Sequence, residues 1–135
     1  MPITIRSASL LRRLAALQQA VPAVQGAALI TADGLVIAAY PPGWDADRHA
    51  PEGGEHVAAL AAVLAGHAER ALARLNQGAF QQIVAAGDRG ALAILPVTAD
   101  ASLALLLAPD AALGLVLHAA RAAAQDLRLT LDQPA

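Results

Sequence analysis

The chain has 135 residues, enough for one domain with a buried core, and 57% of them are hydrophobic while only 15% are charged. Its basic residues are all arginine, and 11 acidic residues against 9 basic ones give a formal charge of −2, which excludes a broad positive field for nucleic acid. The absence of cysteine excludes disulfides and thiolate metal sites, and a chain with one Trp, one Tyr and one Phe has no aromatic platform for stacking bases.

The high hydrophobic fraction predicts that some apolar surface is hidden. Soluble domains carry about 25% charged residues, so this chain is short of polar cover. Either alanine coats the surface or a second subunit covers part of it. No stretch approaches the ~20 apolar residues of a spanning helix without a break, and the run after Arg12 and Arg13 is interrupted by Gln18 and Pro22 too early for an export signal. We therefore expect a soluble protein without membrane insertion, and a cytoplasmic location fits the absence of cysteine.

The first predicted element is an amphipathic helix capped by Ser7 or Ser9. Pro22 ends it, because the residue before a proline is pushed out of the α region. The apolar residues of its buried face recur at intervals of four, three and four: Leu10, Leu14, Leu17 and Val21.

A β-hairpin follows in "GAALITADGLVIAAY". Val and Ile enrichment on both sides of an Asp-Gly pair predicts strands over Gly26–Thr31 and Leu35–Tyr40. Positive φ angles are easily adopted by Asp33 and Gly34, so a two-residue type I′ turn is expected.

The stretch "PPGWDADRHAPEGG", residues 41–54, is predicted to be a loop because proline, glycine and charge are concentrated there. Trp44 within it has two interpretations, a ring folded over a sheet edge or a lid over a ligand pocket. His49, Glu52 and His56 do not have a recognised metal-ligand spacing, so no metal site is predicted.

The second helix is predicted over Glu55–Leu75 and is stopped by Asn76 and Gly78. One side is apolar and suited to lie on a sheet: Val57, Leu60, Leu64, Ala68, Ala71, Leu72 and Leu75. The opposite side carries small residues at near-four spacing: Ala59, Ala62, Gly66 and Ala73. Small residues let two helix backbones approach closely, so this side is the predicted contact with a second partner besides the sheet.

Three further strands are predicted over Ala79–Ala86, Ala91–Val97 and Ser102–Ala108, joined by short turns that imply an antiparallel meander. Pro96 has no N–H for a strand ladder and is expected at a strand end or a bulge. Asp110 is the predicted cap of a third helix. One side of that helix is apolar: Leu113, Val116, Leu117, Ala120, Ala124, Leu127 and Leu131.

The order of helix, two strands, helix, three strands and helix predicts an α+β fold in which helices cover an antiparallel sheet. The first and third helices are expected on one face of the sheet and the second on the other. One domain over residues 1–135 is predicted, with a core from about 7 to 131 and the loop at 41–54.

The polar residues do not form a recognised catalytic motif. Lysine is absent, two of the three serines are assigned as helix caps, and Ser102 lacks a Gly-x-Ser-x-Gly context. Asp33 and Asp88 lie in predicted turns, where local backbone hydrogen bonds favour Asp. "GDRG" at 87–90 lacks the lysine and the strand-to-helix setting of a P-loop. We therefore predict a non-enzymatic chain without a cofactor.

Two stretches resemble the roadblock/dynein light chain family: "LAALQQAVPAVQGAALITADGLVIA" (14–38) and "RGALAILPVTADASLALLLA" (89–108). With the alanine-rich second helix and the amphipathic last helix, the resemblance extends from Leu10 to Leu131. It implies a roadblock/longin-like sheet of five antiparallel strands in the order 2-1-5-4-3, sandwiched between the second helix and the other two. It also implies dimers in which the third strands pair edge to edge and the second helices lie side by side.

The predicted third strand agrees with the implied dimer. It has no charge and no proline, the usual defences of an exposed sheet edge, so a pairing partner is expected there. The residues of the expected homodimer edge are Phe80, Gln81, Gln82, Ile83 and Val84.

The family resemblance also implies a partner, because roadblock domains bind or regulate small Ras-like GTPases, in bacterial polarity and motility systems, or serve as adaptors in larger assemblies. The expected docking stripe on the second helix comprises His56, Val63, His67, Arg70 and Arg74. A solvated basic flank explains the same residues. A structural adaptor and a ligand-sensing domain with Trp44 as its lid remain the alternative functions.

Overall fold

The computed structural model describes residues 5–44 and 53–133. Within that part of the chain, three helices and five strands follow one another in the predicted order. They are α1 (Ile5–Ala20), β1 (Val24–Thr31), β2 (Val36–Tyr40), α2 (Gly54–Arg74), β3 (Ile83–Gly87), β4 (Gly90–Thr98), β5 (Ala101–Leu107) and α3 (Leu113–Asp132). Most of the predicted loop 41–54, including His49 and Glu52, lies outside the described residues.

The strands form one antiparallel sheet in the order β2-β1-β5-β4-β3, which confirms the fold implied by the family resemblance. The central strand β5 pairs with β1 on one side and with β4 on the other. Strands β2 and β3 are the two edges of this sheet. Edge strands present unpaired backbone groups, so these are the positions at which another chain can add to it.

Two apolar layers cover the two faces of the sheet, as predicted. α1 and α3 pack together on one face, where Leu14 and Leu127 lie fully buried against Leu29, Leu103 and Leu105. α2 covers the other face alone. The apolar layer beneath it is built from smaller side chains, among them Ala28, Ile30, Ala58, Ala61, Ile94 and Ala104. The alternation of β5 residues between the two layers follows from the two-residue period of a strand.

The predicted helix caps are wrong in both terminal helices. α1 begins at Ile5, so Ser7 and Ser9 lie inside it. The N-cap of α3 is Ala112, whose side chain makes no capping hydrogen bond, and Asp110 instead has a positive φ of 67° in the preceding turn. Asp tolerates this left-handed conformation as well as it caps helices, so its presence alone does not locate a helix start.

The β1–β2 turn differs from the predicted type I′ turn. Only Gly34 has a positive φ, of 86°, whereas a type I′ turn requires positive φ at both central residues. Gly34 N–H donates to Thr31 O at 3.0 Å, and Leu35 N–H donates to Thr31 Oγ1 at 3.0 Å. The connection is therefore a three-residue loop, in which a glycine with positive φ follows a tight turn.

The third strand is shorter than predicted, because β3 begins at Ile83 rather than at Ala79. Phe80 leaves the strand direction and is buried in the layer beneath α2. The expectation for Pro96 is confirmed, since the β4–β5 register shifts between Pro96 and Thr98. A bulge there accommodates a residue without a backbone donor.

The buried side of α2 was predicted from its leucines, and this assignment is wrong in part. The fully buried residues are Ala58 and Ala61, with Ala65 7% exposed, whereas Leu60 and Leu75 are 51% and 67% exposed. Alanine lets the helix axis approach the sheet closely. The helix is therefore rotated toward its alanines, and the larger leucines lie along its flank.

The end of α2 agrees with the prediction. Asn76 adopts a left-handed φ of 57°, and Gln77 N–H donates to Leu72 O at 2.9 Å. This bond satisfies a carbonyl in the last turn, in the manner of a left-handed helix C-terminus.

Candidate partner-binding surface

The predicted dimer edge falls on β3 and on the segment before it. Ile83 and Val84 belong to the strand and are half-buried. Phe80 is only 8% exposed. Gln82 accepts a hydrogen bond through Oε1 from Nη2 of Arg121 on α3. The edge available to another strand is therefore Ile83–Gly87. Before it, Phe80 and Gln82 are held by contacts within the chain, whereas Gln81 is exposed.

β3 has the properties of an unprotected sheet edge. It pairs with β4 along one side, from Ile83 opposite Ile94 to Gly87 opposite Gly90. Its sequence IVAAG contains neither a charge nor a proline. Ala85, Ala86 and Gly87 are exposed. An edge without such defences readily accepts a further strand.

The outward face of α2 carries the predicted docking stripe. All five of its residues are exposed: His56, Val63, His67, Arg70 and Arg74. Val63 is 57% exposed and gives the stripe an apolar centre between its ionisable residues. In the described part of the chain, salt bridges occur on α1 and α3 and do not involve this stripe.

Arg70 has a defined position within the stripe. Its Nη2 lies 3.1 Å from Nδ1 of His67, one turn earlier in α2. A β-carbon added at Gly66 would lie 3.4 Å from Arg70 Nη1, so the guanidinium rests over the bare backbone of that glycine. The glycine and the histidine together hold the charged group on the outer face of the helix.

The small-residue side of α2 has a contact inside the chain. A β-carbon added at Gly34 would lie 3.1 Å from Ala59 Cα and 3.4 Å from Ala62 Cβ. The β1–β2 turn is therefore packed against this part of the helix. Gly66 lies beneath Arg70, and Ala73 is exposed near the end of α2. Part of the predicted dimer face is thus used to attach the hairpin to α2.

The opposite flank of α2 was missed as a surface by the sequence reasoning. Leu60 and Ala62 are separated by two residues, or about 200° around a helix. Because Ala62 faces the β1–β2 hairpin, Leu60 faces away from it. Leu64, one turn later, is half-buried on the same side. The sequence feature that identifies this flank is the number of leucines in α2, which exceeds the number needed to cover a small sheet.

Trp44 packs against the α2-side core, which agrees with the interpretation of a ring folded over the sheet. It lies near the start of α2, since Gly54 N–H donates to Trp44 O at 2.9 Å. An open groove of about 640 Å³ lies elsewhere, between the end of α2, Phe80, Pro96 and Arg128. Trp44 does not line this groove.

The described residues also bear on metal and membrane binding. Among residues 5–44 and 53–133, no group of three or more His, Asp or Glu side chains could hold a metal ion. A search of the same residues finds no helix with the length and apolar character needed to cross a bilayer.

Comparisons with known proteins place this geometry in a family. A structure of a Roadblock/LC7 domain from Streptomyces avermitilis is 24% identical and has a TM-score of 0.77, covering 90% of this chain and 97% of that one. The gliding protein MglB from Thermus thermophilus is 23% identical with a TM-score of 0.81, covering 96% and 93%. An MglB solved in a tetrameric arrangement is 24% identical with a TM-score of 0.81 and the same coverages.

At these identities the solved structures show a common fold. A search of curated proteins found no match. The sequence model of the Roadblock/LC7 domain matches residues 10–107, which span α1 from Leu10 through all five strands. The chain belongs to the Roadblock/LC7 domain family.

Proposed function

We propose that the protein is a non-enzymatic regulatory module that forms a homodimer through β3 and binds a small Ras-like GTPase on the outward face of α2. The observation that carries this proposal is the uncharged edge of β3 beside a helix with exposed apolar residues. Its family gives the functional class, and the absence of cysteine is compatible with a cytoplasmic location.

The dimer is supported by two adjacent surfaces. β3 offers the free backbone groups along its outer edge, and α2 offers Leu60 on the flank that faces away from the β1–β2 hairpin. Pairing two β3 strands satisfies the backbone groups of both edges and brings the two α2 helices together. This arrangement covers apolar area that a single copy leaves in water. We accordingly propose Leu60 and Leu64 as the helix contact, in place of the flank that already holds the hairpin.

GTPase binding is supported by the composition of the outward stripe. A central Val63 surrounded by ionisable residues matches the usual anatomy of a protein interface, with an apolar centre and a polar rim. Arg70 is held in place before a partner arrives, which lowers the entropy lost on binding. The stripe lies on the exposed side of α2, away from the sheet.

Sedimentation at micromolar concentration tests the dimer. We expect a particle of twice 13.7 kDa for the native chain. Ala85→Lys places two like charges near the axis of the paired edges and is expected to shift the protein toward monomer. Ala32→Lys, in the exposed β1–β2 turn, is the matched control and should remain dimeric. A native chain that sediments only as a monomer contradicts the proposal.

Binding to purified Ras-like GTPases from the source genome, each loaded with GDP or with a GTP analogue, tests the partner. We expect at least one nucleotide state to bind, and Arg70→Glu to weaken the complex by roughly tenfold, since reversing an interfacial charge costs more than removing it. Arg12→Glu, on the other face of the domain, is expected to have no effect. If no Ras-like GTPase binds and a partner without a P-loop does, the structural adaptor is the correct function.

A further inference from the structure

Charged side chains lie at both ends of the β3 edge. At the C-terminal end, Asp88 and Arg89 form the exposed two-residue turn that joins Gly87 to Gly90, and Asp88 is the residue next to the strand. At the N-terminal end, Arg121 of α3 reaches the residue before the strand and donates to Gln82 Oε1. Asp88 has no ion pair among the described residues.

Antiparallel pairing of two copies brings these ends together. A two-fold axis through the centre of β3 lets all five residues of Ile83–Gly87 pair, with Ala85 on the axis. Ile83 then lies opposite Gly87 of the partner subunit. One position farther along, Gln82 lies opposite Asp88 of the partner subunit.

The side-chain directions agree with this juxtaposition. Directly opposite residues of an antiparallel pair project from the same face, with β-carbons about 5 Å apart. Gln82 projects toward α3, as its bond to Arg121 shows, and Val84, two residues later, packs on the α1 and α3 layer. A partner residue opposite Gln82 therefore arrives on the face where Arg121 lies.

We infer that Asp88 of each subunit pairs with Arg121 of the other, so that two ion pairs flank the β3–β3 junction and set its register. This inference rests on the proposed homodimer and deepens it. Arg121 is already aligned by Gln82, and its guanidinium has further donors for a carboxylate. The two pairs are related by the two-fold axis.

Ion pairs at the two ends are needed to set the register of the β3–β3 pairing, because the strand itself specifies that register weakly. β3 has the sequence IVAAG, in which Ala85 and Ala86 offer nearly the same small surface to a partner. Moving the axis to Val84 or to Ala86 shifts the turn of the partner by two positions and carries its acidic residue away from Arg121. Exposed ion pairs add little affinity, so their main effect is to select one alignment.

Charge reversal followed by mixing tests this inference. The homodimers of Asp88→Arg and of Arg121→Asp each contain two like-charge contacts, and we expect their dissociation constants to rise roughly three- to tenfold. In the heterodimer of the two variants both contacts join opposite charges. Native mass spectrometry of an equimolar mixture is therefore expected to show the heterodimer above the statistical half.

Asp100→Arg mixed with Arg121→Asp is the matched control, because Asp100 lies in the β4–β5 turn at the other end of β4. That mixture should be statistical. Asp88→Asn and Arg121→Gln provide a second measurement, in which the double variant loses no more affinity than either single one. A statistical Asp88→Arg and Arg121→Asp mixture with a dimeric native chain overturns the ion pair alone. A monomeric native chain overturns the proposed dimer as well.

Discussion

The indole ring of Trp44 lies directly over Gly26 of β1. A β-carbon added at Gly26 would lie 2.5 Å from Trp44 Cζ2, a separation that real side chains do not adopt. Trp44 N–H donates to Pro41 O at 3.1 Å, and Trp44 O accepts from Gly54 at the start of α2. The ring therefore packs the end of β2 and the beginning of α2 against β1.

Gly26→Ala is expected to displace this ring. Because the added carbon overlaps the indole, we predict a loss of about 1–3 kcal/mol in the free energy of unfolding, together with a red shift of Trp fluorescence as the ring becomes more solvated. Gly114→Ala in α3 is the control. A β-carbon there has no neighbour within 4 Å, and alanine favours a helix. Equal stabilities for the two variants would contradict the packing of Trp44.

Two glycines with positive φ allow the contact between the hairpin and α2 to be measured. Gly34 and Gly78 have φ of 86° and 91°, but a β-carbon meets Ala59 only at Gly34. Gly78→Ala should therefore cost about 1–2 kcal/mol for the left-handed backbone. Gly34→Ala should cost at least about 1 kcal/mol more, because the obstruction is helix backbone. Chemical unfolding of both variants gives the difference, and the reverse order would exclude close packing of the turn on α2.

A partly buried hydrogen bond and an exposed ion pair both connect α1 to α3. Thr130 is 1% exposed, and its Oγ1 accepts from Arg13 Nε at 2.9 Å and donates to Asp126 O at 3.0 Å. Arg13 Nη1 also lies 3.7 Å from Asp126 Oδ2, with both side chains about half-exposed.

The hydrogen bond is expected to contribute more. Thr130→Val keeps the shape of the side chain but leaves Arg13 Nε without its acceptor, and we predict a loss of about 1–2 kcal/mol in urea unfolding. Asp126→Asn removes the ion pair and should cost no more than about 0.5 kcal/mol, because water screens it. A larger loss for Asp126→Asn would assign the attachment to the ion pair.

The sheet could be predicted from the sequence because its signals are local. Nearly continuous apolar runs mark β1, β4 and β5, and short turns between β3, β4 and β5 impose antiparallel pairing. Its strand order came from the family resemblance, since local patterns do not specify which strands are neighbours. The type of the first turn could not be read from Asp33-Gly34, because the same pair also suits a three-residue loop.

The candidate surface was harder to predict because it depends on contacts between distant residues. Phe80 and Gln82 read as strand in the sequence, yet one enters the core beneath α2 and the other bonds Arg121, 39 residues later. The orientation of α2 was misjudged for a related reason. Hydrophobicity assigns Leu60 to the core ahead of Ala61, whereas the narrow space above the sheet accepts the alanine and leaves the leucine outside.

The exposure of Leu60 leads to a prediction about self-association. If its flank of α2 meets a second copy, Leu60→Glu places a charge in an apolar contact, and we expect the dimer dissociation constant to rise by about tenfold or more. The thermal stability of the dissociated monomer should change little, because the side chain is 51% exposed there. Leu115→Glu on α3, at a leucine that is 70% exposed, is the matched control. Sedimentation equilibrium gives the dimer dissociation constants of both variants. Equal dissociation constants would show that Leu60 does not lie in the interface, and the proposed dimer would then rest on β3 alone.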